Sequence, residues 1–306
     1  MTMAKRTSAK AVTHEWQTDA LASAATNQAI EGDDAANGTS TPTVRMYNYC
    51  QISTKYAVVT DTQNAVDKAG RGNEMSYQVA KRLAELKRDM EYALVTNQGA
   101  TAGAAASARS SAGVESWLTA TPQRAATIGN STDVGLTAEG TTPGFKTGGF
   151  AGPTDASTSG TFAVAQLKNV IASCWTNGGN PGVIMAGAAV KQKISGFTGI
   201  ATLYREAGST AKGTAIVGAA DLYVSDFGEH RVVPNRFMRS WTGIGAGGVC
   251  LVLDMDYWSV AYLRKVSQKP LARTGASEKR FIDVEFCLVA QNPLASGKIS
   301  SINPNL

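Results

Sequence analysis

The stretch that decides the fold runs ADLYVSDFGEHRVVPNRFM (220–238), GVCLVLDMDYWSVAYLR (248–264) and KPLARTGASEKRFIDVEFCLVAQNPLASGKI (269–299). It is dense in β-branched and aromatic residues, which suit a pleated and half-buried surface, and it is broken by turn residues. Within it Ile282, Val284, Phe286 and Leu288 alternate with Phe281, Asp283, Glu285 and Cys287. This period of two predicts a sheet with one face buried. Leu222–Ser225, Val249–Leu253 and Tyr257–Leu263 read as further strands, the last two meeting at an Asp254-Met255-Asp256 turn. Strands this poor in reactive side chains point to a building block rather than a catalyst.

Upstream, the period changes. Met75, Val79, Leu83, Leu86, Met90 and Leu94 recur every three or four residues and form one apolar stripe. They predict a helix over 74–96, with Asn73 as its N-cap, Glu74 in its first turn and Gly99 as its stop. Lys81, Arg82, Glu85, Lys87, Arg88 and Glu91 fall off the stripe, and Lys87 and Glu91 have the spacing of an i,i+4 pair. That basic face reads as a solvated surface that could also touch nucleic acid. Residues 44–66 alternate Val, Ile, Tyr and Thr with polar residues, as two strands or one long ribbon. Residues 1–43 are polar and small, an extended arm whose anchor is Trp16 followed by Leu21. Residues 99–113 are nearly all Ala, Gly, Ser and Thr and read as a linker. Residues 129–160 are Gly- and Thr-rich loops. Helices are expected at Thr161–Trp175 and Ala188–Phe197, with a short buried strand at 183–185. The fold class is α+β, with a sheet shared by distant parts of the chain.

Composition narrows the functional classes. The chain has 306 residues, 43% of them hydrophobic, enough for a sizeable core in one large domain or two to three smaller ones. Charged residues make up 17%, well below the roughly 25% of an average protein. Small residues with few charges suit a surface covered by neighbours. The net charge of +5 is compatible with nucleic acid nearby, and Lys5, Arg6 and Lys10 cluster in the arm. Cys50, Cys174, Cys250 and Cys287 show no zinc spacing and read as reduced thiols in apolar strands or helices. No apolar run reaches membrane-spanning length, and residues 1–20 lack the apolar core of a signal peptide.

No candidate chemistry survives inspection. Gly243-Ile244-Gly245-Ala246-Gly247-Gly248 matches a dinucleotide fingerprint, but a strand follows it where a helix is required. Asp254 and Asp256 sit in a turn. Ser225, Asp226, Glu229 and His230 are crowded into six residues and cap a turn rather than converge as a triad. No catalytic, cofactor-binding or metal-binding residue is assigned, and no cofactor is expected.

THEWQTDAL (13–21), TQNAVDKAGRGNEMSYQVAKRLAELKRDMEYAL (62–94), YVSDFGEHRVVPNRFM (223–238), LDMDYWSVAYLR (253–264) and LARTGASEKRFIDVEF (271–286) occur in one order along the chain. With these pieces it resembles the major capsid proteins of tailed bacteriophages, of the Hong Kong 97 type. The resemblance implies an N-terminal arm (1–40) laid over a neighbouring subunit and an extended loop (41–72). It implies a peripheral domain (73–128 and 249–306) containing a spine helix (73–97), and an axial domain (129–248) with an insertion at 129–160. It further implies hexamers and pentamers of an icosahedral shell around double-stranded DNA, found in the virion and assembled in the bacterial cytoplasm. Partners would be other copies of the chain, the packaged DNA, a portal protein and a separate scaffolding or decoration protein, with no membrane. Trp16, Leu21, Tyr47, Tyr49, Ile52 and Tyr56 are the expected inter-subunit contacts. Lys55 lies in the loop, but covalent cross-linking is not assigned to it. Two other readings remain at this point: a nanocompartment shell of the same fold, and a basic DNA-binding protein.

Overall fold

A computed structural model describes residues 2–19, 21–28, 30–32, 34, 38, 42–67, 70, 72–118, 122–124, 160–197, 221–238 and 248–303. The arm carries β1 (Lys5–Ser8) and β2 (Thr13–Thr18), followed by β3 (Val44–Tyr49), β4 (Gln51–Thr60) and α1 (Asp61–Ala65). Next come the long helix α2 (Glu74–Val95), the single turn α3 (Val114–Trp117) and the short strands β5 (Pro122–Arg124) and β6 (Gly160–Thr161). Helix α4 (Val164–Thr176), β7 (Val183–Ala186), α5 (Ala188–Ser195), β8 (Leu222–Ser225) and β9 (Gly228–Pro234) form the middle. The chain closes with β10 (Gly248–Leu253), β11 (Trp258–Pro270), β12 (Ser277–Ala290) and β13 (Gly297–Asn303). Among the described residues no helix is long and apolar enough to cross a membrane.

The strands form two main sheets. One has the order β1-β11-β12-β4, and the other β5-β13-β10-β7-β9-β8 with β6 beside β13. The last quarter of the chain is therefore divided, β11 and β12 going to the first sheet and β10 and β13 to the second. A separate ribbon joins β2 to β3.

Helix α2 follows its pattern closely. Asn73 Oδ1 accepts the Ser76 N–H at 3.0 Å, the N-cap expected of that residue. Met75, Leu86, Met90 and Leu94 are buried, and Val79 and Leu83 pack against the same core. The helix ends at Val95, within a residue of the expected 74–96, but Thr96 rather than Gly99 makes the stop: it turns extended while its hydroxyl donates to Tyr92 O at 2.8 Å. The segment expected to be a linker is a packed hairpin instead. Thr101 bridges Ser110 and Ala104 bridges Ser107, while Ala100, Ser111 and Ala112 are buried. Small residues are needed there because the chain passes close to α2. A Cβ on Gly113 would lie 2.2 Å from Thr96 O.

Strand β10 shows how the layers are held. All six of its residues are buried. Val249, Leu251 and Leu253 join the core under α2 and β12, while Cys250 and Val252 face α4 and α5 with Ile184, Val190, Ile299 and Ile302. A strand apolar on both sides belongs between two layers. Strand β12 departs from its expected one-sided burial. Ile282, Val284, Phe286 and Leu288 face α2 as the alternation predicts, but the other face is covered as well, with Cys287 and Val289 packed beneath Ala9 and Cys50. The cover is the arm. β1 runs parallel to β11, and residues 9–16 cross behind the sheet.

All four cysteines are free and buried. Desolvation pushes the Cys174 and Cys250 thiols up to about 12, and the Cys287 thiol is raised by its contact with Cys50 and then by burial. The hydrogen bond with Cys287 lowers the Cys50 thiol instead, so its protection rests on burial. The thiolate is the nucleophile, and the folded subunit should resist maleimide at neutral pH and take up four equivalents in guanidinium. Rapid labelling of the native subunit, counted by mass spectrometry, would contradict this burial.

Candidate assembly surfaces

Strand β4 is built with two unlike faces. Ala57 and Val59 turn inward against Met75, and Lys55 on that side pairs with Asp89 of α2 at 2.6 Å. Ile52, Tyr56 and Val58 turn outward and are 45%, 56% and 55% exposed. Register sets Tyr56 opposite Phe281, with ring centroids 5.2 Å apart, so the apolar stripe continues onto β12. Among the described strands β4 has one neighbour, and its second edge is open. A long edge strand with an apolar outer face invites pairing with another chain and is usually blunted or covered.

Further exposed apolar groups extend this picture. Leu21 is 99% exposed, in a segment whose described residues 21–28 have no regular structure. On the second sheet, edge strand β8 exposes Val224, and nearby Trp175 is 58% exposed with its ring 5.3 Å from Phe227. The apolar positions expected of the helix at Thr161–Trp175, namely Phe162, Ala165, Leu167, Val170, Ile171 and Cys174, leave Trp175 out, in keeping with its exposure.

The other expected contacts are engaged within the chain. Trp16 Nε1 donates to Ala290 O at 2.9 Å, and its ring lies 5.6 Å from that of Trp117. It is half-buried and clasps the arm to the end of β12. Tyr47 and Tyr49 meet edge to face at 5.7 Å, both half-buried. Between them Asn48 is fully buried. Its Nδ2 donates to Leu288 O at 2.7 Å and to Ser111 Oγ at 3.1 Å, and its Oδ1 accepts the Ala112 N–H at 3.0 Å. Asn48 thus ties β3, the small-residue hairpin and β12 together. Nothing in the sequence distinguishes it from its neighbours.

A charged cluster stiffens the outer face of β12. Arg264 Nη1 meets Asp283 at 2.6 Å and its Nε meets Glu285 at 2.9 Å, while Arg109 reaches Glu285 at 2.7 Å and Ser267 donates to Asp283. Both carboxylates are nearly fully buried and the arginines only partly so. The carboxylates raise the Arg264 guanidinium further above its ordinary range, Glu285 most strongly. Arg109 is the one charged residue of the stretch 99–113, a signal that the linker reading passed over.

The remaining polar candidates are structural. Asp254 caps the turn at Met255–Tyr257, accepting from Asp256 N at 3.2 Å and from Asn180 N at 2.9 Å. Ser225 Oγ lies 2.6 Å from His230 Nε2, and His230 Nδ1 bonds the Pro181 carbonyl, so the pair locks the β8–β9 hairpin to the chain before β7. Burial lowers the His230 pKa, which keeps the ring neutral. Among the described residues no three His, Cys, Asp or Glu side chains group as a metal site. Of the glycine-rich run only Gly248 is described, as the first residue of β10, and the rest lies outside the described residues.

A long spine helix packed on a four-stranded sheet, with a second sheet and two helices beyond it, is the architecture of Hong Kong 97 type capsid proteins. Solved structures share it. They include that of Mycobacterium phage Bobi (11% identity, TM-score 0.56, 98% of this chain and 88% of that one). The satellite phage P4 procapsid with its size determination protein also matches (10%, 0.55, 99% and 86%). So does the holo-SrpI encapsulin complex from Synechococcus elongatus PCC 7942 (10%, 0.55, 100% and 87%). At such identities these likenesses define the fold alone. The sequence profile of the SU10 major capsid protein matches residues 1–303, and the chain belongs to that family. The major capsid protein of Escherichia phage Phieco32 is 27% identical over 92% of this chain and 83% of that protein. The chain is therefore a structural protein of the virion that assembles with itself into an icosahedral phage shell, and not an enzyme.

Proposed function

We propose that the outer face of β4 and the arm beyond residue 18 are the principal contacts through which subunits join into hexamers and pentamers. The observation that carries this reading is the open edge of β4, with Ile52, Tyr56 and Val58 exposed beside Phe281. Leu21 extends the contact as a free apolar anchor. Tyr47 and Tyr49 flank it, and Trp16 serves it indirectly by fixing where the arm leaves the sheet. Many modest contacts per subunit suffice, because each bond in a closed shell is reinforced by the others. The peripheral domain is 73–128 with 249–306, which holds α2 and strands β10 to β13; the axial domain is 129–248, which holds α4, α5 and β7 to β9; β3 and β4 belong to the extended loop (41–72). Double-stranded DNA lies inside the shell, and a portal and a separate scaffolding or decoration protein complete the set of partners.

Ile52→Asp combined with Tyr56→Asp tests the contact. Both sites are exposed, so the subunit should stay folded, with a melting temperature lowered by a few degrees because Ile52 stands opposite Glu285 and Tyr56 packs on Phe281. Shell yield, measured by sedimentation and electron microscopy, should fall at least about tenfold, since a charge opposite an apolar surface costs more than 1.4 kcal/mol per contact. Normal shells from a folded double variant would remove β4 from the interface.

A further inference from the structure

Arg6, Lys87, Arg88 and Arg236 converge on a cleft of about 510 Å³ between the polar side of α2, the chain start at Thr2 and Met3, and the end of β9. All four side chains belong to exposed residues. Several other cations among the described residues are neutralised: Lys5 by Asp256, Arg45 by Glu15, Lys55 by Asp89, Arg82 by Glu85 and Lys191 by Asp221. Among the described residues no carboxylate forms an ion pair with any of the four in the cleft. The one acid in the lining, Glu91, accepts a hydrogen bond from Asn235 Nδ2 at 2.9 Å. Arg88 is held over the Phe237 ring at 5.6 Å, which fixes its charge beside the cleft. Met185, Val233 and Pro234 supply apolar walls, and low-dielectric walls strengthen the field of the charges they flank.

Like charges gathered from three distant chain segments repel one another, so their convergence is accounted for by an anion from outside the subunit. We propose that this cleft binds the phosphate backbone of packaged duplex DNA, which sets this side of α2 and the end of β9 on the inner wall of the shell. The inference rests on the shell reading above and adds which face turns inward. DNA fits better than an acidic protein segment. Peptide recognition is dominated by buried apolar or aromatic anchors, and the one aromatic ring here is covered by Arg88. Backbone phosphates are met by Arg and Lys charges and their N–H donors, with no apolar anchor required.

The test uses the full-length unassembled subunit and a short fluorescent duplex, titrated across a salt series. Each phosphate neutralised adds about 0.9 to the slope of log affinity against log salt. Lys87→Gln with Arg236→Gln should therefore lower the slope by about 2, and Arg6→Gln alone by about 1. Lys265→Gln with Lys269→Gln, the same loss of charge on the exposed end of β11, should leave the slope unchanged. An unchanged slope in the cleft variants, or an equal loss in both pairs, overturns the proposal. So does polyglutamate binding the cleft more tightly than duplex, which would indicate an acidic protein partner. Electron microscopy of the Ile52→Asp, Tyr56→Asp subunit reads the proposed contacts separately, so normal shells from it would count against those contacts and leave the cleft untouched.

Discussion

Arg264→Ala is expected to destabilise the subunit by about 3 kcal/mol, near the low end of the range for breaking a buried ion pair because the arginine itself is half exposed. Asp283 and Glu285 are 2% and 6% exposed in their side chains and share this guanidinium. Without it, Glu285 keeps Arg109, and within the cluster Asp283 keeps the Ser267 hydroxyl. Two carboxylates then lie close together on one strand face with half their counter-charge gone. The expected reading is a fall in melting temperature of roughly 5–10 °C. Replacing the cluster as a unit by Arg109→Met, Arg264→Met, Asp283→Asn and Glu285→Gln should cost less than the single change, because no charge is stranded. A single variant that melts with the parent would mean that water already screens the cluster.

Trp117→Ala is expected to cost about 3–5 kcal/mol, the usual range for emptying a fully buried aromatic site. Trp117 is 0% exposed and packs with Leu118, Leu86 and Met90 in the main core. The loss should be visible as a lower denaturant midpoint. It should also have a local signature. The Trp16 ring rests on Trp117, so residues 13–18 should lose hydrogen-exchange protection ahead of the rest of the first sheet. Unchanged protection in the arm would show that the Trp16 hydrogen bond to Ala290 and the pairing of β2 with β3 hold it without the ring contact.

Legibility in the sequence followed periodicity. The α2 stripe, its Asn73 cap, the alternation of β12 and the turn at Asp254 are local patterns, each decided by a few neighbouring side chains, and the structure keeps them. The features that were misread depend on what lies across the fold. Residues 99–113 look like a linker because Ala, Gly and Ser carry no periodicity, but the same small side chains let a hairpin lie against α2. The end of α2 falls within a residue of its expected place, but the sequence does not show that the chain turns at Thr96 to enter that hairpin. The polar residues Asp283 and Glu285 look like the solvent side of a strand, and they are buried because Arg264 and Arg109 meet them from other segments.

The assembly surface divides the same way. Ile52 and Tyr56 were legible as outward residues of an alternating strand, and their exposure agrees with that reading. Trp16 was legible as an anchor, but the anchor holds the arm to its own chain. A lone tryptophan states a need for an apolar partner and not which chain supplies it. The sequence by itself determined the period of each element, the absence of catalytic or metal-binding spacing and, through motifs in order, the capsid family. Only the tertiary structure decided that β10 is shielded on both sides, that the arm covers the back of β12, and that four cations without an ion pair among the described residues face one cleft. The reason is physical. A residue's period depends on its own backbone, while burial and charge pairing depend on segments up to hundreds of residues away.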